Sequence, residues 1–293
     1  MLRRILTALV LIPPVFYVLY KAPLWAFLLV LLAVVGRNLY EYLGMVRQMG
    51  AKSLPVIAYA ACGGLSLGQC VALRDRSFLV PALLAWVPLL TMLLALFRTK
   101  DLREYVGAVS STVLGILYVG FTLSCLVPLG FDSRIAASIV WVLSGKAVST
   151  AVLADPSLGR DLLVFLFLTI WAGDAIAYFV GRAWGHTLLF PRVSPHKTVE
   201  GSVGGLLGSL LVGWMFAQWK WHGANGWRVM MLVGLIAAAG QVGDLAESAL
   251  KRGSNLKNSG SLLPGHGGLL DRMDSLLFAI PALWSVLAFS VRF

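Results

Sequence analysis

Apolar residues in this chain run in long blocks broken by short polar stretches, rather than in the alternating or three-to-four-residue rhythm of a soluble fold. A helix that crosses a hydrocarbon core needs about 20 mostly apolar residues. Nine stretches meet or approach that length: 5–20, 23–44, 54–73, 79–97, 105–128, 161–183, 202–218, 229–250 and 275–291. The first is short and holds Pro13-Pro14, which predicts a kink or a tilt. It follows Arg3-Arg4 as a signal peptide would. No small-residue cleavage site comes after it and another apolar run begins at once, so it reads as a retained span. Residues 135–153 are also apolar but carry Lys146 near their middle, and they read as an interfacial or re-entrant segment. The expected fold is all-α, a polytopic bundle of about nine transmembrane helices. Polar residues gather in two loops, 184–201 and 251–274. Helices of an N-terminal transmembrane region are thus expected over 1–160, and a transmembrane catalytic region over 161–293.

Composition makes the membrane assignment firm. The 293 residues are 59% hydrophobic and 13% charged, with a mean hydropathy of +0.83. A soluble domain is about 45–50% apolar and about 25% charged, so the bilayer has to be the solvent for most of this chain. A net charge of +11 would suggest nucleic acid in a soluble protein. Here the simpler source is cytoplasmic loops facing anionic lipid, and no nucleic-acid partner is expected. With the N-terminus inside, most of the Lys and Arg residues fall on the cytoplasmic side, from Arg3 and Arg4 to Lys251, Arg252, Lys257 and Arg272. Both polar loops fall there too. The expected location is the cell inner membrane or cytoplasmic membrane, multi-pass, with the chemistry facing the cytoplasm. Cys62, Cys70 and Cys125 are odd in number and lie in apolar stretches without metal-ligand spacing, which points to buried packing.

Charged residues inside spans are expensive, and so mark function by default. Asp174 sits within the sixth span, with Tyr178 and Arg182 on its face at i+4 and i+8. It could serve the bundle as a hydrogen bond or salt bridge, or it could meet substrate or metal. The eighth span ends in a polar stripe of Asp244, Glu247, Ser248 and Lys251 on one helix face. A helix end emerging into water explains Lys251 and Arg252, but not Asp244, a full turn or more deeper. Next comes Pro264-Gly265-His266-Gly267-Gly268, a small-residue turn whose backbone N–H groups could approach an anion; such a turn is also often only a turn. Asp271 and Asp274 share a face at the start of the last span. With Asp244 they could form a hard, all-oxygen site suited to Mg²⁺. The loop 184–201 adds Arg182, Arg192, Ser194, Lys197 and Thr198, donors suited to a polyphosphate.

The run from Ser248 to Asp274 resembles the signature of the phosphatidate cytidylyltransferases, or CDP-diacylglycerol synthases. It carries Ser248, Lys251, Arg252, Lys257, Gly260, Pro264, His266, Gly267, Gly268, Asp271, Arg272 and Asp274 at matching spacings. WAGDAIAYFVGRAWG and SPHKTVEG are similar to upstream pieces of the same family. The resemblance is close over roughly 170–275 and general over the first half. One position departs: the family's usual Lys-Asp is Lys257-Asn258 here.

The resemblance implies transfer of CMP from CTP to phosphatidic acid, with Mg²⁺ as cofactor. Asp244, Asp271 and Asp274 are implied as the metal ligands. Ser248, Lys251, Arg252, Lys257, His266 and Arg272 join them as catalytic residues. Asp174, Tyr178, Arg182, Ser194, Lys197, Thr198, Gly267 and Gly268 are implied in substrate binding. The partners are then CTP, phosphatidic acid and the bilayer, with a second copy in a homodimer as a further candidate. A related CTP-dependent lipid enzyme, of the CDP-archaeol synthase or polyprenol kinase type, is the neighbouring alternative. A secondary transporter is the distant one; such proteins often carry internal repeats, and none is evident here.

Overall fold

The computed structural model describes residues 2–75, 79–99, 101–262 and 267–291. The chain is helical almost throughout: α1 (Leu2–Lys21), α2 (Leu24–Gln48), α3 (Pro55–Asp75) and α4 (Leu79–Arg98) come first. A 3₁₀ turn, α5 (Tyr105–Gly115), a π-turn (Ile116–Phe121), α6 (Thr122–Ser124) and α7 (Leu126–Phe131) follow. Then come α8 (Ser133–Ser144), α9 (Thr150–Leu153), α10 (Ser157–Trp184), strands β1 (Leu188–Phe190) and β2 (Ser194–Thr198), α11 (Val199–Lys220), α12 (Gly226–Gly253) and α13 (Leu270–Phe289). Eight helical stretches among the described residues are long and apolar enough to cross a membrane, so the all-α polytopic reading stands. The ninth expected span, 5–20, falls in α1, whose side chains at 2–9 and 11 lie outside the described residues. Helices with polar backbone satisfied internally are what a hydrocarbon solvent permits. The exposed Trp86, Leu89, Leu93 and Phe97 of α4 suit such a solvent.

Two stretches depart from expectation. Residues 135–153 do not form one segment with a lysine inside it. Helix α8 stops at Ser144, Gly145 turns into the left-handed region at φ 72°, and Lys146 is exposed beyond the helix end. The polar loop 184–201 is not irregular but an antiparallel hairpin, pairing Leu188 with Thr198 and Phe190 with Ser194.

The chain forms two compact units, neither of them continuous in sequence. The first comprises Met1–Val127 and Leu250–Met273. Its core is built from Leu39, Tyr42, Met45, Leu65, Ile116 and Leu123, all fully buried. The Tyr42 hydroxyl donates to the Ser111 carbonyl at 2.9 Å, and the Leu54 N–H to Thr112 Oγ1 at 2.9 Å. These bonds fix α2 and the start of α3 against α5. At the π-turn, Tyr42 packs over Gly115 and Cys62 over Gly120.

The second unit comprises Pro128–Ala249 and Asp274–Phe293. Its spine is the α10–α11 pair. Gly201, Gly205 and Ser209 recur at every fourth residue of α11, the small-residue spacing that lets membrane helices approach closely. A Cβ at Gly205 would stand 2.8 Å from the Ala177 Cβ and 2.9 Å from the Gly173 carbonyl oxygen, so only glycine fits. Ser209 Oγ adds a bond to the Thr169 carbonyl at 2.9 Å. At the far end, Phe165, Phe216 and Trp221 pack ring on ring, and Lys220 pairs with buried Asp161 at 3.0 Å.

Candidate active site

The second unit gathers the charged residues that a lipid-embedded bundle should not contain. Asp174 is exposed, although it lies in the interior of α10. A carboxylate cannot stably face lipid, so Asp174 has to meet polar groups. Ser275 Oγ, on α13, donates to Asp174 Oδ1 at 3.3 Å. Helix α12 brings Asp244 to the same unit, where a close helix contact makes room for it. A Cβ at Gly243 would stand 2.6 Å from the Asp274 carbonyl oxygen. Asp274 lies within the electrostatic reach of Asp244, Glu247 and Asp174. Opposite this negative charge, β2 presents Lys197, whose ammonium pairs with the Asp244 carboxylate.

The hairpin that carries Lys197 is held by its own polar contacts. The Thr198 hydroxyl accepts from the Gly201 N–H at 3.1 Å and caps α11. Glu200 accepts from the Thr187 N–H through both oxygens, at 3.1 and 3.2 Å. Ser202 donates to Gln241 Oε1 at 2.5 Å, while Gln241 Nε2 returns a bond to the Ser202 carbonyl at 2.8 Å. This reciprocal pair ties the first turn of α11 to α12 one helical turn before Asp244.

A separate polar knot lies in the first unit, around Asp271. Lys251 Nζ donates to Asp271 Oδ1 at 2.7 Å. The Ser259 N–H, the Ser259 hydroxyl and the Gly268 N–H reach Oδ2 at 2.9, 3.0 and 2.8 Å. Beside it is Glu41 of α2, buried at 3% exposure. Its carboxylate accepts from Leu269 N at 3.1 Å, Leu270 N at 2.9 Å, Ser259 Oγ at 2.8 Å and Arg37 Nε at 3.1 Å.

The remaining expected residues are spread between these two groups. Arg182 is exposed and donates to the Tyr178 hydroxyl at 3.2 Å, as their helical spacing anticipates. Ser194 and Ser248 are half-buried; Arg252, Lys257 and Arg272 are exposed. Gly267 adopts φ 79°, and the Gly268 N–H is already engaged by Asp271. His266, with Pro264 and Gly265, lies outside the described residues.

Among the described residues, no three His, Cys, Asp or Glu side chains form a metal-ready group. The chemistry of the donors nevertheless suits a hard cation. Asp174, Asp244 and Asp274 are all oxygen donors, and all-oxygen carboxylate sets favour divalent cations of the magnesium type.

The sequence profile of the cytidylyltransferase family matches residues 2–290. The chain belongs to that family. Curated relatives include a protein of Staphylococcus haemolyticus named phosphatidate cytidylyltransferase. It is 42% identical over 130 residues, 44% of this chain and 50% of its own length. One of Brucella abortus bearing the same name is 44% identical over 144 residues, 47% of this chain and 52% of its own length. The chain spans about half the length of the curated relatives it matches. Two features of this cytidylyltransferase-family chain escape a sequence reading centred on its second half. Glu41 is the clearer one. A carboxylate inside the second span, four residues after Arg37, satisfies the same intramembrane-charge rule that singles out Asp174. The Ser202–Gln241 pair has no comparable signal, since neither residue is unusual until the two helices are side by side.

Proposed function

We propose that this member of the cytidylyltransferase family is a phosphatidate cytidylyltransferase, transferring CMP from CTP to phosphatidic acid to give CDP-diacylglycerol and pyrophosphate. The observation that carries the reading is the charged cluster of the second unit, Asp174, Asp244 and Asp274 opposed by Lys197, in helices otherwise built for lipid. The two relatives, both named phosphatidate cytidylyltransferase, support the substrates. The reaction is an in-line transfer: a phosphate oxygen of the lipid bonds to the α-phosphorus of CTP as the bond to pyrophosphate breaks. The lipid phosphate is already an anion near neutral pH, so its oxygen needs no general base. What the protein has to supply is orientation and relief of repulsion between two anions.

Lys197 suits that work. Held by Asp244, it is a cation on the hairpin, and a polyphosphate offers it a more highly charged partner. Exposed Arg182 adds positive charge in the same unit, and Lys257 and Arg272 are exposed cations of the first unit. Mg²⁺ is the cofactor of this reading; Asp244 and Asp274 would hold it, and Asp271 is the third carboxylate of the expected set. When bound, it would offset the phosphate charge and stabilise the departing pyrophosphate. The site is read as opening to the cytoplasm, where CTP arrives from water and the lipid from the bilayer.

Purified protein in detergent with phosphatidic acid, CTP and Mg²⁺ should release pyrophosphate and form CDP-diacylglycerol, while ATP should substitute poorly. Equal turnover with the two nucleotides would sink the cytidylyl assignment.

A further inference from the structure

We propose that Glu41 is a positioning residue for this reaction, an internal anion that holds Ser259 and the entry to α13. The inference rests on the cytidylyltransferase reading for its activity arm, and on geometry alone for the rest. Glu41 lies on α2, some 220 residues before the loop in sequence, yet four donors converge on its carboxylate. Two are the backbone N–H groups of Leu269 and Leu270, at the entry to α13. Those are among the groups that a helix start leaves without an intrahelical partner. A negative charge placed there is favoured by the helix dipole as well as by the bonds. A third donor, the Ser259 hydroxyl, stands between Glu41 and Asp271 and can give its single proton to only one of them at a time. Arg37 brings the compensating charge, and without such pairing a carboxylate this buried would be costly to ionise.

The glycines of the signature fit this internal anion closely. A Cβ at Gly260 would stand 2.8 Å from Glu41 Oε1, and a Cβ at Gly268 would stand 2.7 Å from the Glu41 carboxyl carbon. Both positions therefore exclude any side chain while Glu41 is in place. The sequence suggests that the backbone of the 264–268 turn could approach an anion; at Gly268 the structure supplies one from the chain itself. The N–H groups of Gly268, Leu269 and Leu270 are all taken, by Asp271 and Glu41. Glu41 thus fixes Ser259 and the first turn of α13, and with them the directions in which Asp271 and Arg272 leave the helix.

Glu41→Gln tests this, because the amide keeps the shape but offers one acceptor where the carboxylate offers two, and removes the charge. Turnover per folded molecule should fall roughly a hundredfold, the scale of a misplaced reacting group, with KM for CTP and for phosphatidic acid little changed. Amide hydrogen exchange at 259–262 and 267–272 should rise about tenfold or more, as for the loss of one buried hydrogen bond, while α3 and α4 exchange as before. Glu41→Asp, which keeps the charge but shortens the reach, should fall between the two on both readouts. It also serves as the test variant if the glutamine form does not fold. A purely structural role would lower thermal stability and leave turnover per folded molecule intact, and that result overturns the proposal. Unchanged exchange at 259–262 and 267–272 overturns it equally. If the parent protein releases no pyrophosphate from CTP, the cytidylyltransferase reading fails, and the exchange comparison still decides whether Glu41 holds the loop.

Discussion

Single side chains in this protein carry two different kinds of work, and substitution should separate them. Asp244 is half-buried, bound to Lys197 and part of a cluster of like charges. Changing it to Asn leaves Lys197 without its counter-ion and takes an anionic oxygen from a would-be metal site. Turnover should drop by orders of magnitude with little loss of thermal stability; near-normal rates at saturating Mg²⁺ would remove Asp244 from the site. Asp271→Asn should also be severe, but with a loosened loop, because its carboxylate accepts from Lys251, Ser259 and Gly268. Asn258 is the contrasting position. It is exposed, and its side chain has the shape of the Asp that the family resemblance would place there. Asn258→Asp should therefore change the rate by no more than about tenfold, the worth of one interaction of ~1.4 kcal/mol. A Mg²⁺ titration of both forms at fixed CTP checks this, and a thousandfold gain would assign catalysis to residue 258.

Helices and the hairpin decide whether those side chains meet at all. The α10–α11 contact leaves no space for a side chain at Gly205. Gly205→Leu should force the pair apart, costing about 1–3 kcal/mol or more as overpacking does, and should abolish activity by displacing the hairpin that bears Lys197. Thermal unfolding alongside turnover would show both losses together; an active, fully stable variant would contradict this packing. The small-residue spacing of α11 is plain in the sequence, as are the apolar lengths of α2, α3, α4 and α10 through α13. Less legible was the hairpin. One strand is three apolar residues and the other five mostly polar ones with a proline, so neither shows the alternation that marks a strand, and they form because Glu200 and Thr198 hold them to the start of α11. The site was legible in part for a similar reason. Asp174, Lys197, Asp244 and Asp274 stand out as charges amid apolar sequence, whereas Glu41 enters only when α2 is folded against a loop more than 200 residues away.

At the scale of the whole molecule, the distribution of Lys and Arg predicts that the N-terminus and the loop at 254–262 share the cytoplasmic side. A cysteine in place of exposed Lys257 should react with a membrane-impermeant thiol reagent only in inside-out vesicles. Native Cys62 and Cys125 are buried and should stay silent, with the parent protein measuring any background from Cys70. Labelling from the outside would invert the topology. One local feature also bears on how long the chain is allowed to be. The π-turn at Ile116–Phe121 fits one more residue into a turn than an α-helix does. Gly115 on one side is seated under Tyr42 and Gly120 on the other against Cys62, so both flanks are pinned to neighbouring helices. Deleting a single residue between them would relax the turn to ordinary α-geometry but swing one flank round by about a quarter turn, and one of the two seats would be lost. The membrane-spanning stretch from Leu102 to Phe131 therefore tolerates exchange of residues far better than a change in their number.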